Sequence, residues 1–150
     1  MRSRFTDTAR PILVALTCLF LVAGAAFAFL AVGAGAFGTH ALRDRVPPEH
    51  IQTFETATRY TMYHAFGLFA VVWFRTLGPD QVSETVAGVA FIVGVVVFGG
   101  SLVTLSLTGE RRWGAVAPIG GACFLIGWAA LLIAALTAPL DFAPLFQAKL

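Results

Sequence analysis

Four long apolar stretches, separated by short polar segments, dominate the pattern of this chain. They cover residues 11–37, 57–77, 82–108 and 113–138. A transmembrane helix needs about 20 mainly apolar residues, so each stretch is long enough to cross a bilayer. The pattern predicts an all-α fold, an integral membrane four-helix bundle that forms a single four-span domain over residues 1–150. Because the spans use nearly the whole chain, we expect no soluble domain beside them.

The second helix is predicted to begin before its apolar part. The segment Val46-Pro47-Pro48-Glu49 combines a turn with a helix start, because proline and an acidic residue are typical of the first helical turn. No strong breaker follows until Leu77. A helix over residues 48–77 would be about 45 Å long, whereas the hydrocarbon core is about 30 Å thick. We therefore expect residues 48–56 to form an amphipathic helix start that extends beyond the bilayer.

The composition agrees with lipid as the main solvent. Hydrophobic residues make up 58% of the chain and charged residues 12%, and the mean hydropathy is +0.83. Soluble domains carry about 25% charged residues. The net charge of +2 is small and the basic residues are scattered, which disfavours nucleic-acid binding. The predicted partner is the lipid bilayer.

The N-terminal segment is predicted to be an uncleaved first span. Its apolar run passes a possible signal-peptidase site at residues 26–28 and continues to Phe37, which is longer than the 7–15 residues of a signal-peptide core. An even number of spans places both termini on the same side. The two sides would carry equal numbers of Lys and Arg residues, with the loop-side Arg75 counted on the side of the termini. The arginines that directly precede the first span favour cytoplasmic termini. They are Arg2, Arg4 and Arg10.

Small residues cluster in three of the four spans. Such residues let helices approach closely in lipid, and pairs such as Ala31/Gly35 and Ala34/Gly38 have the spacing of a packing face. Generic membrane-helix glycine is an equally acceptable interpretation. The predicted helix-packing residues are Gly33, Gly35, Gly38, Gly99, Gly100, Pro118, Gly120 and Gly121.

The polar candidates fall in one window between the first two apolar stretches, which contains all three histidines. The candidates for a polar site are His40, Glu55, Arg59, Tyr60 and His64. Glu55 and Arg59 are four residues apart with the acid first, which is the favourable order for a helical ion pair. Two interpretations stay open for this pair: an interfacial ion pair that sets helix depth, or part of a site for a polar ligand.

His64 lies about 7.5 Å beyond Arg59 along the helix axis, which places it inside the second span. An ionisable residue within a span is a functional-site hypothesis by default. The alternative is a neutral histidine that is hydrogen-bonded to a hydroxyl or carbonyl group of another span.

The sequence pattern does not support a metal site or a cofactor site. His50 and His64 are separated by about 21 Å along one helix, so they cannot share an ion that histidine binds at about 2.0–2.1 Å. The chain has no nucleophile elbow, phosphate-binding loop or zinc-protease signature. We therefore predict no metal, no cofactor and no catalytic residue, and we expect a protein that is not an enzyme.

Several sequence blocks resemble the domain-of-unknown-function 423 family of small bacterial membrane proteins. The blocks are residues 35–42, 54–65, 100–102, 107–109 and 118–128. The resemblance covers residues 11–137 and implies a four-helix protein of the bacterial inner membrane, in a group that includes a small mitochondrial transmembrane protein of animals. It implies motif positions at His40, Phe54, Glu55, Arg59, Tyr60, His64 and residues 118–121. Gly99 departs from the family pattern, which has serine there.

Two functional hypotheses follow. The first is a non-enzymatic accessory or scaffold subunit that packs through glycine-rich helices as a homo-oligomer or in a larger membrane complex. The alternative is a small oligomeric transporter, or an intramembrane binder of a lipid, quinone or ion, with a polar site around His64.

Overall fold

The computed structural model describes residues 5–77 and 82–138, and every regular element in these two segments is helical. This confirms the all-α fold class. The elements are α1 (Phe5–Phe37), which continues as a π-helical turn (Gly38–Leu42), α2 (Pro48–Leu77), α3 (Val82–Thr108), a 3-10 turn (Arg111–Ala115) and α4 (Ala117–Thr137).

The helix boundaries match the apolar pattern, with three differences. The predicted helix over residues 48–77 is confirmed by α2. Helix α1 begins at Phe5, six residues before the first apolar stretch, so Pro11 lies inside it. A π-helical stretch, Val95–Gly99, interrupts α3. The last apolar stretch starts as the 3-10 turn, and α4 begins only at Ala117. Pro118 is therefore its second residue, where its missing N–H breaks no helical hydrogen bond.

Three helical segments of the described residues are long and apolar enough to cross a membrane, as judged by length and composition. These are Pro11–Leu42, Val82–Thr108 and Arg111–Thr137. Helix α2 is not among them, since its sequence includes Arg59, His64 and Arg75. The predicted span over residues 57–77, and with it the single domain of four spans, therefore remain predictions.

Consecutive helices pack against each other in chain order. Helix α1 packs mainly on α2, α2 packs on α3, and α3 packs along α4. Short connections between helices favour antiparallel neighbours, and the contacts agree, because the start of α1 lies beside the end of α2. A smaller contact joins α2 to α4, so among the described residues α2 touches each of the other three helices.

Phenylalanine rings seated on glycines hold the core together. A Cβ atom built on Gly88 would lie 2.5 Å from the ring of Phe20, and one on Gly127 would lie 2.5 Å from the ring of Phe91. Phe91 also covers Gly67 on α2, so this one ring holds three helices together. Both rings are fully buried. The sequence analysis did not single out the glycines that take part in such contacts: Gly24, Gly67, Gly88, Gly94 and Gly127.

The predicted helix-packing residues divide into two groups. A Cβ atom would meet the side chain of Phe54 at Gly38, the side chain of Thr61 at Gly99 and the backbone of Phe98 at Gly120. All three positions are closely packed, and at Gly120 the neighbouring backbone leaves no room for a Cβ atom. At the other four glycines a Cβ atom would meet nothing within 4 Å, so within the described residues no neighbouring helix approaches them closely, and their role in packing remains a prediction. They are Gly33, Gly35, Gly100 and Gly121. Pro118 is exposed.

Candidate functional site

The polar residues that the sequence grouped together do not form one site. His40 lies in the π-helical turn after α1 and is exposed. Arg59 and Glu55 form the expected i,i+4 ion pair at 3.9 Å, with both side chains about half exposed. Tyr60 and His64 instead meet against α3 and α4. The structure therefore separates a surface ion pair from an aromatic cluster around His64.

His64 is buried, with 3% of its surface exposed, and both ring nitrogens have partners. Its Nδ1 lies 2.7 Å from the carbonyl oxygen of Tyr60, and the indole Nε1 of Trp128 donates to its Nε2 at 3.2 Å. A carbonyl oxygen can only accept and an indole N–H can only donate. The arrangement therefore requires a neutral imidazole with its proton on Nδ1, bonded to its own helix and to α4.

Aromatic rings enclose this imidazole. Its ring stacks on Phe124 with centroids 3.5 Å apart and planes 9° apart, and Phe91 lies at 5.4 Å. Phe91 in turn contacts the indole of Trp128 at 5.0 Å. The rings come from α2, α3 and α4, so His64 connects three helices by packing as well as by hydrogen bonding.

An open groove of about 650 Å³ lies beside this cluster, between α2 and α4. From Pro118 to Trp128 it follows ten residues of α4, which is about 15 Å. Two partly exposed tyrosines, Tyr60 and Tyr63, bring hydroxyl groups to its lining. Because both nitrogens of His64 are engaged, that residue offers the groove an aromatic surface and no free hydrogen-bonding group.

The π-helical stretch of α3 separates this groove from a second cleft. Phe98 turns to the groove, where its ring lies 4.9 Å from that of Tyr60. Val95, Val96 and Gly99 line the cleft on the opposite side, against α1 and α2. Short π-helical segments inside α-helices are frequent at functional sites, and here the segment shapes two cavities at once.

The sequence analysis missed a buried arginine at the other end of the bundle. Arg75 is 7% exposed. Its Nε donates to the hydroxyl of Thr17 at 3.0 Å, and its Nη1 donates to the hydroxyl of Thr85 at 2.9 Å. Its Nη2 lies 3.5 Å from the carbonyl oxygen of Leu13, and the guanidinium lies 5.7 Å from the ring centroid of Phe20. One cation therefore ties α1, α2 and α3 together.

The charge of Arg75 is balanced locally. Glu84, which is 2% exposed, interacts with it electrostatically. Both residues lie near the ends of apolar stretches. For this reason Arg75 entered the charge count only as a loop-side residue. The rule that ionisable residues inside membrane segments are paired and positioned by neighbours was the signal that could have identified them.

His50 connects α2 to α3 near the opposite end of the bundle. Its Nδ1 donates to the carbonyl oxygen of Ser106 at 3.0 Å. Gly109 closes α3 beside it with a φ of +72°, a left-handed conformation that favours glycine. Within the described segments, no group of three or more His, Cys, Asp or Glu side chains gathers where it could hold a metal ion.

Comparison with known proteins places the chain among bacterial membrane proteins. A family model described as "Protein of unknown function (DUF423)" matches residues 34–121. The UPF0382 membrane protein YwdK of Bacillus subtilis is 42% identical over 117 residues, which are 78% of this chain and 95% of the relative. A UPF0382 membrane protein of Staphylococcus epidermidis is 42% identical over 118 residues, which are 79% and 95% of the two chains. No solved structure matches the chain.

Proposed function

The chain belongs to the DUF423 family of membrane proteins, and from this premise we propose that it is a non-enzymatic accessory or scaffold subunit. In this proposal it packs through glycine-containing helix faces against a second copy or against a larger complex in the bacterial inner membrane. Two buried polar side chains support a structural role, because Arg75 is hydrogen-bonded to α1 and α3, and His64 is hydrogen-bonded to α4 as well as to its own helix.

One observation carries the proposal. The outer face of α1 presents Gly33 between Phe29 and Phe37, each four residues away. Phe29 is 78% exposed, and a Cβ atom on Gly33 would meet nothing within 4 Å. The same combination of phenylalanine and glycine packs the helices inside the chain. Since helices in lipid associate by close packing of small residues, this outer face is suited to a partner helix.

Crosslinking in native membranes tests the proposal. The variant Gly33→Leu places a bulky side chain at a position where a Cβ atom has open space, and Val32→Leu is the matched control at a neighbouring exposed position. We expect the wild type and the control to give the same crosslinked oligomer or complex in membranes and in mild detergent, and Gly33→Leu to lose it. A monodisperse monomer with no crosslinked partner would refute a scaffold role.

The membrane topology belongs to the same proposal. Helix α2 crosses the membrane as the second of four spans, and both termini lie in the cytoplasm. This is because α2 lies against the other three helices and its buried residues run from Phe54 to Arg75. The other helices shield the polar side chains that lower its overall hydropathy. Reporter fusions after residues 45, 79 and 110 test this arrangement: the first and third should be external and the second cytoplasmic.

A second candidate function is the binding of a flat apolar molecule, such as a quinone, in the groove between α2 and α4. The aromatic walls and the hydroxyls of Tyr60 and Tyr63 favour it, although Glu55 and Arg59 are not among the lining residues. Gly121→Leu would fill the groove, whereas Gly100→Leu would not, because Gly100 lines the other cleft. Loss of a co-purifying small molecule in Gly121→Leu alone, detected by mass spectrometry, would support this function; its retention would exclude the groove.

A further inference from the structure

Two cavities follow each other along the seam between α1 and α2. The first, here called the interfacial cavity, has a volume of about 540 Å³. Its lining includes Gly38, Arg43, Asp44, Ile51, Gln52 and Glu55. The second, here called the seam cleft, has a volume of about 240 Å³. Its lining includes Phe27, Ala31, Ala34, Thr58, Val95 and Gly100.

The two cavities adjoin on both helices. Gly38, at the start of the π-helical turn after α1, lines the interfacial cavity, and Ala34, one turn earlier on α1, lines the seam cleft. On α2, Glu55 lines the first and Thr58 lines the second. A polar cavity thus opens next to an apolar one, in the order in which a lipid headgroup and its acyl chain enter a membrane.

The interfacial cavity carries charges of both signs. Arg43 and Asp44 are exposed, and within residues 5–77 and 82–138 neither side chain forms an ion pair or a hydrogen bond. Glu55 lies 3.9 Å from Arg59 and is half exposed. A guanidinium group is suited to a phosphate, and carboxylates are suited to an ammonium group. The cavity therefore complements a headgroup that contains both.

The seam cleft fits one acyl chain. From Ala34 to Phe27 the cleft wall on α1 rises by seven residues, which is about 10 Å, so the cleft holds the first part of an acyl chain within one half of the roughly 30 Å hydrocarbon core. Its lining is apolar apart from threonine hydroxyls and backbone, and Gly100 leaves open space on the α3 side. Thr61 bonds its hydroxyl back to Ala57 within its own helix, so it does not demand a polar ligand.

We infer that this seam binds one zwitterionic aminophospholipid of the phosphatidylethanolamine class. The phosphate lies beside Arg43, the ammonium group lies between Asp44 and Glu55, and one acyl chain occupies the seam cleft. This site is distinct from the aromatic groove at His64 and from the outer face of α1. It can therefore fail or hold independently of the scaffold function, because lipid binding is measured on the isolated protein.

Native mass spectrometry of the detergent-solubilised protein tests the inference. The probes are phosphatidylethanolamine, phosphatidylcholine and phosphatidylglycerol with identical acyl chains, together with soluble phosphoethanolamine. We expect phosphatidylethanolamine to be retained about tenfold more than either other lipid, because phosphatidylcholine lacks N–H donors and phosphatidylglycerol lacks the cation. Equal retention of the three lipids would overturn the inference, as would phosphoethanolamine binding as tightly as the whole lipid.

Matched variants locate the lipid. Arg43→Gln and Asp44→Asn should each weaken retention of phosphatidylethanolamine about tenfold, whereas Arg45→Gln, an exposed neighbour outside the cavity, should leave it unchanged. Gly100→Leu should weaken it by filling the seam cleft, and Gly121→Leu should not. If Arg43→Gln and Asp44→Asn both retain the lipid like the wild type, the headgroup site is wrong. If Gly100→Leu retains it, the acyl-chain site is wrong.

Discussion

The contact between α3 and α4 at Gly120 makes a sharp prediction, because its neighbour Gly121 offers an internal control. A Cβ atom on Gly120 would overlap the backbone nitrogen of Phe98 and would lie 2.7 Å from its Cβ and 2.8 Å from its Cα. At Gly121 it would meet nothing within 4 Å. The same substitution at adjacent positions of one helix should therefore have opposite consequences.

The magnitude follows from these distances. Carbon atoms pack best at about 3.5–4.0 Å, so Gly120→Ala forces the backbones of α3 and α4 apart by about 0.7 Å or more. A backbone cannot change rotamer to relieve the overlap, and overpacking of this kind costs about 1–3 kcal/mol. Gly121→Ala introduces no overlap and gains up to about 1 kcal/mol of helix propensity. We expect the free energies of unfolding of the two variants to differ by about 1–4 kcal/mol.

Equilibrium unfolding in mixed micelles measures this difference. Increasing amounts of a denaturing detergent unfold the protein, and tryptophan fluorescence, with Trp128 near the contact, reports the transition. Gly120→Ala should unfold at a lower denaturant fraction than the wild type, whereas Gly121→Ala should unfold at the same fraction or a higher one. Equal free energies for the two variants would refute the close approach of α3 and α4 at Gly120.

Three further predictions concern the polar groups and the turn after α3. The variants His64→Phe and Trp128→Phe, made singly and together, remove the imidazole and the indole. Their effects on the unfolding free energy should be coupled by about 0.5–1.5 kcal/mol, and purely additive effects would contradict the hydrogen bond between the two side chains. Arg75→Met should lower the unfolding free energy by about 1.5–3 kcal/mol, whereas Arg59→Met, at an exposed position, should lower it by less than about 1 kcal/mol. Equal losses for the two variants would count against the buried hydrogen bonds of Arg75. Gly109→Ala should cost about 1–2 kcal/mol in the same unfolding assay, and no cost would argue against its left-handed backbone.

The sequence located part of the candidate site because chemistry and position coincide there. An ionisable residue inside an apolar stretch marked His64 as noteworthy. Its carbonyl partner, Tyr60, lies on its own helix, and its partner on another helix is the indole N–H of Trp128, not the expected hydroxyl or carbonyl group. Arg75 was missed because loop-charge counting treats residues near the end of a span as solvent-facing. Its burial depends on Thr17 and Thr85, which lie on two other helices and 58 and 10 residues away in the chain.

The apolar periodicity by itself determined the helical class and the helix lengths, because a backbone in lipid must satisfy its own hydrogen bonds within each segment. The same pattern could not decide which side of each helix faces a neighbour, since lipid and protein interior are equally apolar. Only the tertiary structure showed that Gly88 and Gly127 seat phenylalanine rings while Gly33 and Gly121 face open space. Close packing depends on the shapes of distant residues, and these meet only when the helices assemble.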